Sequence, residues 1–317
     1  MGKRKKGNPV HGWVNFNKPL GMTSTQAVGK VRYMFQAQKA GHAGTLDPEA
    51  SGVLPIALGE ATKTIQYTQD ASKTYIFTAQ WGESRTTDDK EGEVIATSDA
   101  SPALEAIIAL LPKYTGDIEQ LPPQFSALKI DGKRAYDMAR DGQDVTLKSR
   151  TVTIHNLSIE KHDEKARQTT FKCDCGKGTY IRSLARDIGA KLGCFGYVLH
   201  LERAKVGSFK LSDAISLDSL EKIGDNTPQE EVLQPVEFVL DDIPALILKE
   251  QEAVRLKQGQ RLSFLSKPDV ARLSDLNQTT GHDSQKPFTA LALFNHKPIG
   301  LVEIENVTIK PLKIFNL

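Results

Sequence analysis

Gly41-His42-Ala43-Gly44-Thr45-Leu46-Asp47-Pro48-Glu49-Ala50-Ser51-Gly52-Val53-Leu54 gathers three glycines, a histidine and an Asp-Pro step into one short stretch. Glycine lets backbone approach a ligand closely. Asp47 is a carboxylate on a rigid turn flanked by apolar Leu46 and Val53, which suits a nucleophile or base held at fixed geometry. The same residue type also caps turns through an Asx-type bond, and composition alone leaves both roles open.

Just upstream, Thr23-x-x-Gln26 has capping-box form and precedes Val28, Val31 and Phe35, so the spacing predicts a helix that begins there and ends before Gly41. The apolar run Val53 to Leu58 reads as a buried strand. From Thr74 to Trp81 the residues alternate, which puts Tyr75, Phe77, Ala79 and Trp81 on one strand face. Phe171, Cys173 and Cys175 alternate likewise. Gly176-Lys177-Gly178 then breaks the strand, and Ile181, Leu184, Ile188 and Leu192 return at helical spacing. Ser101 to Leu111 reads as a further helix, closed by Pro112. Near Asp241-Asp242-Ile243-Pro244 the character changes to short apolar segments such as Phe288 to Phe294 and Ile299 to Ile304, which predicts a small, mostly β appendage. The polar stretch Ser274 to Gln285 is expected to be an exposed loop within it.

The chain of 317 residues suggests about two domains. With 39% hydrophobic and 25% charged residues it has the composition of a folded, cytoplasmic protein. The start, Met1-Gly2-Lys3-Arg4-Lys5-Lys6, is basic without an apolar region behind it, and no run of about 18 apolar residues occurs, so no membrane association is expected. A net charge of +2 does not announce a nucleic-acid binder, so any such face must be local. Cys173, Cys175 and Cys194 are odd in number and lack structural-zinc spacing, so reduced thiols are expected and no metal site.

The Gly41 to Leu54 stretch resembles, at every signature position, the Gly-His-x-Gly-Thr-Leu-Asp-Pro-x-Ala-x-Gly-Val-Leu loop of the tRNA pseudouridine synthase B family. Lys18-Pro19-Leu20-Gly21-Met22-Thr23-Ser24 is similar to the family's Lys-Pro-x-Gly-x-Thr-Ser element, Lys73-Thr74-Tyr75 to its tyrosine-bearing strand, and Lys177 to Leu184 to its Gly-Thr-Tyr-Ile-Arg element. Four matches in order cover about the first 210 residues, which makes the resemblance specific. It implies isomerisation of uridine 55 in the T arm of tRNA. The N1–C1′ bond breaks, the flipped base turns, and C5 bonds to the same sugar carbon, with no cofactor.

In that setting the resemblance implies that Asp47 is the essential carboxylate. Tyr75 would lie flat against the uracil, Arg182 would orient Asp47 through its guanidinium fork, and Leu201 would wall the pocket. Tyr180 and Lys18 join the substrate-binding set by their motifs. His42 would stack into the RNA beside the flipped nucleotide. Asp89, in an acidic turn, matches a further family position. Glu202 departs from the arginine often found there. Lys129, Lys133, Arg134 and Arg140, within a segment at about 122–142, resemble the family's RNA-gripping loop.

The implied fold is mixed α/β (α+β), with a pseudouridine synthase catalytic domain on a large central sheet over 1–245. A small C-terminal β-barrel over 246–317, similar to pseudouridine-synthase-and-archaeosine-transglycosylase (PUA) domains, follows it. A monomer acting on tRNA is expected. A catalytically idle tRNA-folding chaperone and a base-releasing glycosylase are the rival functions. Nucleoside analysis separates them.

Overall fold

The computed structural model describes residues 7–125, 129–130, 133–134, 147–226, 232–280 and 286–317. Strands in the first part are β1 (Gly12–Lys18), β2 (Ala40–His42), β3 (Ala50–Leu58), β4 (Lys73–Trp81), β5 (Glu83–Arg85), β6 (Val94–Thr97) and β7 (Gly116–Gln120). They continue with β8 (Lys129–Ile130), β9 (Lys133–Arg134), β10 (Arg150–Asp163), β11 (Gln168–Cys175), β12 (Gly196–Val206), β13 (Phe209–Lys210) and β14 (Leu233–Gln234). The last five are β15 (Ala245–Ile247), β16 (Leu262–Ser263), β17 (Phe288–Phe294), β18 (Lys297–Glu305) and β19 (Thr308–Ile314).

A ten-stranded sheet runs β14-β1-β3-β12-β4-β11-β10-β7, with β2 added to β3 and β13 to β12. Alternation along β4 and β11 builds its core. Phe77 and Phe171 stack with ring centroids 5.0 Å apart, and Trp81 meets Phe171 edge-on. Helix Ile181–Lys191 lays Ile181, Leu184, Ala185 and Ile188 onto that layer. β3 is buried along almost its whole length, as its unbroken apolar run requires.

One pairing decides where the chemistry can sit. β12 runs parallel to β3, with Leu201 opposite Ala50 and Arg203 opposite Gly52, and its other edge brings Arg203 opposite Tyr75 on β4. Gly52 has φ +104°, and a Cβ there would lie 2.4 Å from the Arg203 carbonyl oxygen. Only glycine permits this approach.

The helix Ser24–Met34 begins as expected, with a reciprocal Thr23–Gln26 capping box. The next expected helix is shorter than its sequence span, covering Leu104–Leu110, with Pro112 inside a following 3-10 turn. Cys173 and Cys175 lie in β11 and Cys194 follows helix Ile181–Lys191; all three are buried, reduced thiols.

The C-terminal part is a five-stranded sheet, β15-β17-β18-β19-β16, curled as a half-barrel around Leu256, Ala290, Val302 and Ile309. It is packed against the large sheet, since Leu291, Leu301 and Phe315 share one cluster with Trp13, Val53 and Ala57. Lys63 Nζ donates to the Ile314 carbonyl at 2.6 Å, and Lys313 Nζ returns a bond to the Lys63 carbonyl at 2.8 Å. The expectation of an exposed loop from Ser274 to Gln285 fails for its first half. Helix Lys267–Thr280 runs through it, capped by Ser266 and burying Leu273. Residues 281–285 lie outside the described residues. Among the described residues, no helix is long and apolar enough to cross a membrane.

Candidate functional site

Asp47 sits on the turn between β2 and β3, and that turn is braced from three sides. Ser24 Oγ accepts from the Leu46 N–H and donates to the Leu46 carbonyl, both at 2.9 Å. Lys18 Nζ, fully buried, donates to the carbonyls of Met22 (2.7 Å), Pro19 (2.8 Å) and Pro48 (3.3 Å). Burial pushes the Lys18 ammonium down to about 8, against the opposing attraction of Asp47. Arg203, 1% exposed, donates through Nε to the Val53 carbonyl at 2.8 Å and through its two terminal nitrogens to Thr45 and Gly44, each at 3.2 Å. The turn itself closes on backbone, Ala50 N–H to the Asp47 carbonyl at 3.1 Å.

The Asp47 carboxylate meets Arg182, whose Nη2 lies 3.0 Å from Oδ2. Arg182 comes from the first turn of helix Ile181–Lys191 and is itself fixed by Thr87 and Phe125 carbonyls, each at 3.0 Å, and by Asp89 Oδ2 at 3.3 Å. Arg182 thus meets Asp47 through Nη2, while Nη1 and Nη2 are also anchored on Thr87, Asp89 and Phe125. The side chains of Arg182 and Asp89 are only 8% and 10% exposed, whereas Asp47 is 39% exposed. A rigidly tethered cation thus presents one carboxylate toward open space.

That space is a cavity of about 300 Å³ lined by Asp47, Tyr75, Tyr180, Arg182, Leu201 and Arg203, among others. Its size is that of a small-ligand site. Tyr75 is half-buried, and desolvation lifts its phenol above the ordinary value despite the nearby Arg203 guanidinium. Tyr180 is held by Arg150, whose guanidinium lies 4.5 Å over the ring and also bonds the Gly178 carbonyl. Lys73 lines the cavity as well, its Nζ bonded to the Gln69 and Ala71 carbonyls and brought down to about 8 by burial. Chemically, the arrangement offers aromatic and aliphatic walls for a flat ring and one oriented anion at its edge.

Five of the residues expected from sequence are therefore together: Asp47, Tyr75, Tyr180, Arg182 and Leu201. Asp89 stands behind Arg182 and lines a narrow crevice that joins Asp47 to Leu201. Lys18 does not line the cavity but braces the Asp47 turn from beneath. His42 ends β2, opposite Ile56, and is also outside the cavity lining. Lys129 pairs with Arg134 and Ile130 with Lys133 in the β8–β9 hairpin, while Arg140 lies outside the described residues. Sequence reasoning missed Arg203, Lys73 and Arg150. For Arg203 a signal existed, since it shares strand parity with Leu201 and so points an arginine to the apolar side. Among the described residues no group of three or more His, Cys, Asp or Glu is placed to hold a metal.

Two family models match the chain in succession. Residues 32–181 match "TruB family pseudouridylate synthase (N terminal domain)" and residues 182–241 "tRNA pseudouridylate synthase B C-terminal domain". A curated relative from Rhodopseudomonas palustris, named tRNA pseudouridine synthase B, is 47% identical over 99% of this chain and 83% of its own length. A relative of the same name from Rhodospirillum rubrum is 46% identical over the full length of both. Among solved structures, a Cbf5-Nop10-Gar1 complex matches with TM-score 0.70 at 23% identity, over 96% of this chain and 84% of that one. An H/ACA ribonucleoprotein bound to a substrate RNA containing 2′-deoxyuridine also gives 0.70 at 20% identity, covering 100% and 92%. At these identities the structural likeness speaks for the fold.

Proposed function

Because the chain belongs to the TruB family of pseudouridine synthases and is an RNA-modifying isomerase acting on tRNA, we propose that its target is uridine 55 in the T arm, with Asp47 as the essential carboxylate. The observation that carries the assignment of Asp47 is its tether to a buried Arg182 at the edge of a ring-sized cavity. A base inside a stacked arm cannot reach such a slot, so the nucleotide must be flipped out.

The reaction conserves its atoms. The N1–C1′ bond breaks, the uracil turns, C5 bonds to C1′, the C5 proton leaves and N1 gains one. Asp47 supplies the anion that acts at the sugar or the base. Tyr75 and Leu201 confine the detached ring while it turns, and Arg182 keeps the carboxylate from drifting. Tyr180 closes another wall. His42, at the end of β2, would stack beside the vacated position in the RNA, and Asp89 acts through Arg182. Lys129, Lys133, Arg134 and Arg140 would grip phosphates. We assign the half-barrel after residue 245 to tRNA contact outside the T arm, and the working unit to a cytoplasmic monomer.

Incubating T-arm RNA with the protein, followed by nucleoside analysis, tests this. Pseudouridine at position 55 alone is expected; unchanged uridine would indicate an idle chaperone, and free uracil with an abasic site a glycosylase. Asp47→Asn keeps the shape but removes the anion, so it should bind tRNA and form no pseudouridine. Multiple turnover by this variant would overturn the role of Asp47.

A further inference from the structure

Strand β7 ends at Gln120, just before Leu121-Pro122-Pro123, where two residues without an N–H cannot extend the ladder. Gln120 is fully buried although its side chain is an amide, and such a group is costly to bury unless both its ends are bonded. Here both ends meet one residue. The Tyr180 N–H donates to Gln120 Oε1 at 2.7 Å, and Gln120 Nε2 donates to the Tyr180 carbonyl at 3.0 Å. Only this orientation of the amide satisfies both bonds. The side chain therefore stands in for a strand residue, exchanging two bonds with the Tyr180 backbone as an antiparallel partner would.

Tyr180 immediately precedes helix Ile181–Lys191, with extended backbone at φ −102° and ψ 112° and no side-chain cap. It lines the uridine cavity, which Gln120 itself does not. Strand register supplies a second support, since Gln120 lies opposite Arg150 in the β7–β10 pairing. Side chains of directly opposite residues leave a sheet on the same face, and the Arg150 guanidinium stands 4.5 Å over the Tyr180 ring. One cross-strand pair thus holds Tyr180 twice, by its backbone through Gln120 and by its ring through Arg150. Arg182, two residues on, does not depend on this pair, because Thr87, Asp89 and Phe125 fix it separately.

We propose that Gln120 is a positioning residue for the isomerisation: its amide fixes the Tyr180 backbone so that the ring stands against the uracil, and Arg150 keeps the ring in that pose. This role rests on the cavity being the uridine site. A wall confines a detached base in a reactive pose only while the wall's own tilt is fixed. Glutamine meets that need without a charge that would disturb the Arg182–Asp47 pair. Its amide has one donor end and one acceptor end, each matched to one backbone group. A carboxylate in its place would match the N–H alone and turn its second oxygen toward the Tyr180 carbonyl. Protonation would restore a donor at that oxygen.

The test compares the full chain with its Gln120→Met and Gln120→Glu variants on T-arm RNA, by single-turnover rate at saturating enzyme and by RNA affinity. Gln120→Met keeps the volume but makes neither bond, so its rate is expected to drop about tenfold or more while affinity stays within about twofold. In Gln120→Glu, burial and the facing carbonyl push the new carboxyl above the ordinary carboxylate range, so the donor is present at low pH and lost as pH rises. Its rate relative to wild type is therefore expected to fall about fivefold or more from about pH 5.5 to about pH 8.5, both proteins being folded throughout by circular dichroism. A brace that served stability alone would leave that ratio flat. Amide hydrogen exchange reads the clasp without any reaction: the Tyr180 N–H should exchange faster in Gln120→Met, while Ile188, deeper in the helix, keeps its protection. If Gln120→Met does not fold, the pH series of Gln120→Glu decides alone. A pH-independent ratio, a Gln120→Met rate within about twofold of wild type, or unchanged exchange at Tyr180 would overturn the proposal. A wild-type chain that forms no pseudouridine would instead overturn the uridine reading, and exchange at Tyr180 would still judge the clasp.

Discussion

The guanidinium of Arg182 makes four polar contacts, and Asp47 receives one of them. A lysine ammonium can carry the charge but cannot reach Thr87, Phe125, Asp89 and Asp47 from one planar fork. Arg182→Lys is therefore expected to lose on the order of 10²-fold in single-turnover rate at saturating enzyme, because small misplacements of a reacting group are that costly. A rate within about threefold of wild type, less than about 1 kcal/mol, would show that orientation by Arg182 is not what the reaction needs. Asp47 and Arg182 were both legible because each lies inside a contiguous motif. Arg203 was announced only by its strand parity with Leu201, and its partners were not, since Val53, Thr45 and Gly44 are about 150 residues away in the chain.

At the level of elements, the β3–β12 pairing carries the site, and Gly52 is its tightest point. Gly52→Ala adds a methyl 2.4 Å from the Arg203 carbonyl oxygen at φ +104°, so the strands must part. The expected loss is about 2 kcal/mol or more, read as a lowered urea midpoint, together with reduced turnover. An unchanged midpoint would mean that the two strands can separate there without cost. The β8–β9 hairpin invites a different measurement. Converting Lys129, Lys133 and Arg134 to alanine should weaken tRNA binding and flatten its dependence on salt, because phosphate contacts release counterions. The same salt slope would remove these residues from the RNA face.

Local patterns gave the capped helix at Ser24, the alternating strands β4 and β11 and the helix at Ile181. They did not give sheet order, which depends on non-local pairing. They also missed helix Lys267–Thr280, whose apolar stripe is thin: Val270 is 38% exposed and Leu273 4% exposed. Ser266 with Pro268 just inside the helix was the available start signal.

Across the whole molecule, two ammonium groups, Lys18 and Lys73, lie in the body of the fold and titrate near 8 instead of 10.5, desolvation being the first cause for each. Between those values the unfolded chain binds more protons than the folded one, so both groups make stability rise with pH from about 8 toward 10.5. Below 8 the folded state bears the full cost of charging them. Replacing Lys73 with methionine removes one such group. The stability advantage of Lys73→Met over wild type should therefore shrink between pH 7.5 and 9.5, as followed by urea unfolding; a gap independent of pH would contradict the assignment. The half-barrel adds a different constraint, since Phe315 and Trp13 lie in one cluster and tie distant parts of the chain together.

The brace that Arg203 places on the Asp47 turn also has a meaning in time. Strand β3 and the turn before it are complete in the chain long before residue 203 is made, yet the turn's carbonyls have no guanidinium to hold them until β12 docks. A contact across about 150 residues pays its loop-closure entropy before it rewards the turn. On the role proposed above for Asp47, a nascent or partly refolded chain thus carries its carboxylate still unaimed, and the ability to rearrange a nucleotide arrives only with the finished sheet.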